Sequence, residues 1–273
     1  MGRAAAELAV VPAMKFTRPH AGTLRDPMAE TIRGVQDQQI AELQDAARAV
    51  DTALTAGMRL LRGPTLLTAS SGTHQLAEGT CLVVGITQGA GGGGGGAGGG
   101  VNQAAGAGGG AGITLHWTRG EPGVRIANRS CPYTCGAGGA GGANTGGTGG
   151  TGGDAQITVT GIPFVAKGGG GGGGLASTAL GTVFGGVGQP GSSGYPGTFT
   201  TALRGNMGFV VGGAGFSGAG GASPFGISGA PGLLGDGGAA AGFGAGGGGG
   251  NATAAGKVGG TGTGGCHQIW EFG

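Results

Sequence analysis

Glycine makes up 79 of the 273 residues, and much of it stands in nearly uninterrupted blocks. Glycine loses more conformational freedom on folding than any other residue, so ordering such blocks costs roughly 1–2 kcal/mol of backbone entropy per residue. The large side chains, among them 9 Phe, 2 Trp and 2 Tyr, are too few to fill a large core. Any fold must therefore depend on backbone hydrogen bonds and close backbone packing. The blocks lie at 88–112, 136–153, 168–174, 212–221 and 235–250.

One block contains a strict repeat. Thr145–Gly153 reads TGGTGGTGG, a period of three residues. Three residues per turn is the period of a polyproline-II helix, and glycine helices without side chains could approach closely enough to bond backbone to backbone. The period fails in the other blocks, which excludes collagen. We therefore expect the glycines to be ordered in extended three-fold helices or layers.

Short strand-like runs separate the glycine blocks. Cys81–Thr87 is rich in β-branched residues and is typical of a strand. The predicted fold class of the body, residues 64–273, is therefore mainly β with glycine-rich polyproline-II-like layers. Further predicted strands lie at 113–118, 124–127, 156–160, 164–166, 198–203, 208–211 and 266–272.

Charge separates the first 63 residues from the rest. They carry 8 Lys/Arg and 7 Asp/Glu, whereas the remaining 210 residues carry 6 and 5. Residues 1–27 contain three prolines and predict an extended arm. Asp26 as N-cap and Pro27 at the first helical position predict a helix that spans 28–63 and stops at Gly63-Pro64. This segment is interpreted as a helical stalk or attachment segment.

The predicted helix carries an apolar stripe with alternating steps of three and four, as in a heptad seam. The stripe fits an amphipathic helix that packs on its own domain. It fits a parallel oligomeric stalk equally well, and a trimer is then favoured. The proposed oligomer residues are Ile40, Leu43, Val50, Leu54 and Leu61.

Composition and motifs argue against several function classes. The net charge of +2 disfavours nucleic acid or an anionic membrane as the main partner. The sequence contains no run of about 20 apolar residues, so no membrane insertion is predicted. No GxxxxGK[ST] motif is present, so no nucleotide cofactor is expected. The dispersed charges form no catalytic or metal constellation, and we predict a protein that is not an enzyme.

The cysteines and the loop aromatics each allow two interpretations. The four cysteines are buried thiols, or they form disulfides: Cys131–Cys135 is the short candidate pair, and Cys81–Cys266 would join the first and last strands. Aromatic residues among Gly, Pro and Ser either fill gaps between glycine layers, which we favour, or contact a receptor. These aromatic residues are Tyr133, Tyr195, Phe216, Phe225 and Phe243.

The body resembles the glycine-rich tip proteins of bacteriophage and prophage tail fibres. The resemblance covers roughly residues 65–273 and lies in Gly79–Gly96, Asp154–Gly174, Ser223–Gly250 and the terminal Ile269-Trp270-Glu271-Phe272. It implies a β-rich, glycine-layered domain, usually oligomeric, that contacts a host surface receptor. The four cysteines depart from that pattern. The charged N-terminal helix would suit docking into a baseplate instead of a long fibre.

The expected function is therefore that of a virion protein at the tail, baseplate or fibre tip, working outside the cell. Residues 1–63 would attach it to other tail proteins, and the glycine-rich domain would face the host. Alternatives are an ice-binding protein built from glycine-rich polyproline-II helices and an extracellular matrix or wall protein. A hydrolase of the host envelope is the weakest option.

Overall fold

The computed structural model describes residues 57–99, 104–175, 182–183, 199–201, 203–211 and 214–273. The arm predicted at 1–27 and most of the predicted helix lie outside the described residues. The same holds for the proposed oligomer residues Ile40, Leu43, Val50 and Leu54.

The described residues are mainly β, as predicted, and contain no helix. Most strands are short, and turns or glycine segments separate them. Their bounds are β1 Leu60–Leu67, β2 Ser71–Gln75, β3 Leu82–Gln88, β4 Ala104–Ala105, β5 Thr114–Gly120, β6 Ser130–Thr134, β7 Ala155–Val159, β8 Ile162–Ala166, β9 Thr182–Val183, β10 Phe199–Thr201, β11 Gly208–Val211, β12 Ala214–Phe216, β13 Gly226–Ile227, β14 Ala241–Gly242, β15 Asn251–Ala252 and β16 Cys266–Phe272.

Two sheets form a sandwich. The first has the order β1-β16-β3-β5-β10, so the last strand of the chain lies beside β3 and β1. The second has the order β2-β6-β7-β8. A cluster of buried side chains fills the space between them, and Trp117 stacks on Phe164 with ring centroids 4.4 Å apart. Gly85 makes room for Trp117, because a Cβ at that position would lie under 3.0 Å from the indole.

Strand β1 shows that the last residues of the helix predicted at 28–63 are not helical. Leu61, assigned to the helical seam, lies in β1, which runs across the predicted boundary at residue 63. Exposed and half-buried side chains alternate along Leu60–Leu67, the period of a strand with one face toward a core. Pairing with β16, from Leu60 opposite Phe272 to Leu67 opposite His267, outweighs the local helical pattern.

Of the other predicted strands, most are confirmed and one does not form. Those at 113–118, 156–160, 164–166, 208–211 and 266–272 are confirmed within one to two residues of the observed strand ends. Residues 124–127 form no strand, and Val124 makes only an isolated bridge with Glu121. The pairing of β2 with β6, from Ser71 opposite Thr134 to Gln75 opposite Ser130, was not foreseen, because SGTHQ lacks the apolar alternation of a strand.

The glycine blocks are joined by regular backbone hydrogen bonds. All ten N–H groups of segment 89–98 donate to carbonyls of other segments. The bonds repeat every three residues: Gly91, Gly94 and Ala97 donate to Thr263, Gly260 and Lys257, at 2.8–2.9 Å. The other N–H groups of the segment donate alternately to carbonyls of 107–113 and of 147–153, and each of these two series also repeats every three residues. Gly98 is the exception and donates to Leu175.

Segment 89–98 is enclosed on all sides. Besides the three segments to which it donates, three others donate to its carbonyls, at 139–142, 169–175 and 247–250. A Cβ at any of residues 91–96 would approach a neighbouring carbonyl oxygen to under 3.0 Å, closer than real Cβ atoms come. Only glycine permits this spacing. We call the set of glycine segments between 89 and 265 the glycine array.

Candidate functional site

The turns of the glycine array lie at two opposite ends. Segment 89–98 leaves β3 and segment 106–113 returns to β5, while 136–143 leaves β6 and 147–153 returns to β7. The far ends of these segments, at residues 98 and 106 and at 143–147, are therefore remote from the sandwich. We call that end the distal end and the other the sandwich end.

Three further stretches reach the distal end. Residues 229–232 bond to 246–249 and run away from the sandwich, so the turn at Leu233–Leu234 is distal. Asn251–Ala252 pairs with Ala104–Ala105 at the distal end. The turn that follows, before Lys257, therefore lies at this end too. Strands β11 and β12 extend from segment 203–206 and lie at the same end.

The distal end exposes large apolar side chains. Leu233 is 88% exposed, Phe216 is 51% exposed, and Phe216 stacks on Phe209 with centroids 5.0 Å apart. Among the described residues, Asp236 and Lys257 are charged residues of this end. Water-exposed apolar groups in a cluster mark interaction surfaces in soluble proteins. The other exposed apolar residues of this end are Met207, Val211, Leu234 and Val258.

Specific hydrogen bonds fix the distal turns. The buried Asn251 side chain donates from Nδ2 to the Gly215 carbonyl at 2.7 Å, which holds β12. Ser217 Oγ donates to the Gly232 carbonyl at 2.7 Å, and the Val258 N–H donates to Asp236 Oδ1 at 3.1 Å. The distal end is thus a set of cross-linked turns on a close-packed base.

The five aromatic residues singled out in the sequence do not form one surface. Phe216 lies at the distal end. Phe225 and Phe243 lie at the sandwich end, where the Phe243 N–H donates to the Phe225 carbonyl at 3.0 Å. Tyr133 packs against the sandwich core and meets His267 edge-on at 5.7 Å. Tyr195 lies outside the described residues.

Sequence reasoning missed Leu233, Leu234 and Val258. A signal for the first two was present, because the pair stands in PGLLGD, an apolar pair between turn residues where no strand or helix is predicted. Leu234 also adopts a left-handed φ of 59°, which side chains other than Gly, Asn and Asp seldom adopt.

The candidate disulfides are not formed, and all four cysteines are free thiols. Cys131 lies in β6 and Cys135 directly after it, so four steps of extended chain separate their Cα atoms by about 13 Å, beyond the roughly 7 Å limit for a bridge. Cys81 adjoins the end of β3 that pairs with Phe272, whereas Cys266 pairs with Gln88 at the other end. Burial raises the pKa of the Cys131 and Cys135 thiols to about 11 and that of Cys266 to about 12.

A buried carboxylate lies at one edge of the sandwich. Glu271 Oε1 accepts a hydrogen bond from His74 Nε2 at 2.9 Å and lies 3.5 Å from Arg62 Nε, while Oε2 accepts bonds from the Ala77 N–H and the Thr80 hydroxyl. Burial acts to raise the pKa of Glu271, but the hydrogen bonds and the Arg62 charge outweigh it and lower the pKa. Both oxygens are engaged and the carboxylate is fully buried, so its role is to hold β1, β2 and β16 together.

His267 occupies the opposite part of the same interior. Its Nε2 donates to the Thr134 carbonyl at 3.0 Å, and its Nδ1 accepts from the Thr87 hydroxyl at 3.1 Å. Trp117 Nε1 donates to Thr87 Oγ1 at 2.9 Å. Burial lowers the pKa of His267 to about 4, although the bond to Thr134 acts in the other direction. The imidazole is neutral and serves to connect the two sheets.

Among the described residues, no three His, Cys, Asp or Glu side chains lie close enough together to hold a metal ion. That part of the chain also has no helix of the length and apolarity that crossing a membrane requires.

No model of a known protein family matches the chain, and no curated protein sequence matches it significantly.

Proposed function

We propose that this chain is a virion structural protein at a bacteriophage tail, baseplate or fibre tip that contacts the host cell surface through the distal end. The observation that carries the proposal is the cluster of exposed apolar side chains around Leu233 and Phe216. These side chains are displayed on turns that hydrogen bonds fix to a close-packed glycine base. A rigid base lowers the entropy lost on binding, which favours recognition by short loops.

The glycine array itself is, in this proposal, a stack of polyproline-II-like layers. The three-residue repeat of its hydrogen bonds and the rotation of donors among three neighbours support that geometry. Such a stack is stiff without a large apolar core. It would suit a tip that must stay folded outside the cell with few large side chains.

The attachment half of the proposal rests on the sequence. Residues 1–63 would dock on other tail or baseplate proteins and would make the chain a homo-oligomer, with a trimer favoured. Replacing Leu43, Val50 and Leu54 with Asp should then dissociate the oligomer, as light scattering would measure. A parent chain that is monomeric at all concentrations, and also with its tail partners present, would rule out the stalk.

Cell binding tests the host-facing half. Labelled full-length protein should bind saturably to cells of at least one strain in a bacterial panel, and unlabelled protein should compete. Leu233→Asp combined with Leu234→Asp should reduce that binding at least about tenfold, because a charge at the centre of an apolar contact costs several kcal/mol. The matched control is Ile227→Asp: Ile227 is 75% exposed but lies at the sandwich end. Equal loss in both variants would contradict the distal end as the contact surface.

One observation favours ice binding as a second candidate. Thr148 and Thr151 are exposed at a spacing of three residues, and Ala137, Ala140 and Ala143 are exposed at the same spacing on the adjoining segment. A regular array of small side chains could order water or ice. Thermal hysteresis of the purified protein would support this candidate, and the replacement of Thr148 and Thr151 by Lys should then abolish it.

A further inference from the structure

The outer segments of the glycine array follow a rule that the central segment does not. In 136–143 and 147–153, every third residue is exposed, and every one of these exposed residues bears a side chain. The glycines between them are buried or half-buried. The exposed residues are Ala137, Ala140, Ala143, Thr148 and Thr151.

The outer segments also leave backbone groups unpaired. In the central segment 89–98 every N–H has a backbone acceptor, whereas in 136–143 only Gly139 and Gly142 donate to one. The N–H groups of Gly138 and Gly141 have no backbone acceptor in the part of the chain that the structure describes. Unpaired backbone groups along the edge of a sheet are a template for the addition of another chain, and the edge of this array presents the same hazard.

The interior shows what stops such an addition. Neighbouring segments approach so closely that a Cβ at Gly93 or Gly96 would lie under 3.0 Å from the carbonyl oxygens of Ala140 and Ala143. A further segment could therefore approach as closely as these segments do only where the facing residues are glycine, as they are at Gly93 and Gly96. The exposed Cβ atoms of the outer segments occupy the place that the next segment would need.

We infer that the outward Ala and Thr side chains of 136–153 terminate the glycine array and prevent a second copy of this chain from adding its own glycine segments. Along 136–143 and 147–153 the array is then limited by its sequence, since each fully exposed position bears a side chain and the positions between are glycine. This inference is independent of the proposed receptor contact, since it concerns the lateral face and not the distal end.

The test replaces the outward side chains with hydrogen. The full-length variant Ala137→Gly, Ala140→Gly, Ala143→Gly, Thr148→Gly and Thr151→Gly should associate beyond the oligomeric state of the parent. Light scattering over about 1–200 µM should show a mass at least twice that of the parent at the upper end. The matched control replaces the same five residues with Ser, which keeps each Cβ, and should retain the parent mass.

A second variant with only three replacements keeps the test decisive if the five-residue variant does not fold, because added glycines make the unfolded chain more flexible. Ala137→Gly, Ala140→Gly and Ala143→Gly alone should lower the Tm by only a few degrees. It should bind a peptide of eight glycines flanked by lysines, which the parent and the Ser control should not bind. If this variant is folded by circular dichroism, keeps the parent mass and binds the peptide no better than the parent, the inference is overturned.

Discussion

The sandwich and the glycine array are held together by different parts of the chain. In the sandwich, side chains fill the space: Trp117, Phe164 and Ile269 are almost fully buried between two sheets. In the array, the backbone fills the space: segment 89–98 is buried throughout although it contributes no side chain larger than a methyl group. The first arrangement removes apolar surface from water, and the second packs and hydrogen-bonds peptide groups against one another.

This difference sets what each region tolerates. A side-chain core can readjust partly around a smaller residue, so the cost of a deletion is graded. A backbone lattice has no rotamers to readjust, and an added atom meets a carbonyl of the next segment. We therefore expect enlargement to be most damaging in the array and truncation to be most damaging in the sandwich.

The largest effect is expected when one central glycine of the array is enlarged. Gly94→Val should prevent folding, because even its Cβ would lie under 3.0 Å from the Gly248 carbonyl oxygen. The strain should exceed about 4 kcal/mol, a large part of the stability of a typical domain. Circular dichroism and limited proteolysis of the soluble fraction would measure the loss.

The matched control is Gly235→Val, at a distal turn. The nearest heavy atom to a Cβ there is the Leu233 carbonyl oxygen at 4.0 Å, so the change should cost less than about 1 kcal/mol. If both variants fold with the stability of the parent, the array is looser than its spacing indicates.

Truncation probes the sandwich. Phe164→Ala should lower the free energy of unfolding by about 3–5 kcal/mol, because it removes the ring that stacks on Trp117 and leaves a cavity. Urea unfolding followed by tryptophan fluorescence would give the value. The same change at the distal end, Phe216→Ala, should cost less than about 1 kcal/mol, since half of that ring is already in water. Equal costs would remove the distinction between core and tip.

The sequence predicted the strand-rich class and several strands, because apolar alternation and β-branched runs such as Cys81–Thr87 are local signals. It could not predict the environment of individual alanines. Ala97 and Ala140 both stand between pairs of glycines, yet Ala97 is fully buried and Ala140 is exposed. Their positions in the array decide this, and those positions follow from contacts between segments far apart in the chain.

The same limit applies to the candidate site. Phe216, Phe225 and Phe243 have similar surroundings in the sequence, but the alternating directions of the segments send them to opposite ends of the array. Likewise Leu61 fits a helical seam by its spacing, and only the distant β16 makes it part of a strand. Which end a turn occupies depends on how many segments precede it, and no local pattern records that number.

Acid should weaken the sandwich through His267. Its folded pKa of about 4 lies below the unfolded value of about 6.5, so the unfolded state binds more protons between these values. Stability should therefore fall by about 3 kcal/mol as the pH drops from 6.5 to 4. His267→Gln, which can still bond to Thr134 and Thr87, should flatten this part of the profile in urea unfolding.

Glu271 provides the control for that measurement. Its lowered pKa means that its contribution is lost only at more acid pH, as the pH falls through its folded value. Glu271→Gln should therefore lower stability at pH 7 and leave the slope between pH 6.5 and about 5 unchanged, because an unfolded Glu begins to bind a proton only near its ordinary pKa of 4.5. A His267→Gln variant with the slope of the parent would show that another group carries the acid sensitivity.

The smallest effect is expected where the two regions join. Asp154 precedes β7 and Lys167 follows β8, and their charged atoms lie 2.6 Å apart on the surface. Asp154→Asn should cost about 0.5 kcal/mol or less, because water screens an exposed pair and the Asn oxygen can still accept from the Gly168 N–H. The difference should disappear in 1 M NaCl, where the screening length is about 3 Å. A loss above about 1.5 kcal/mol that persists in salt would mean that this junction couples the sandwich to the array, and that the two regions do not fold on separate principles.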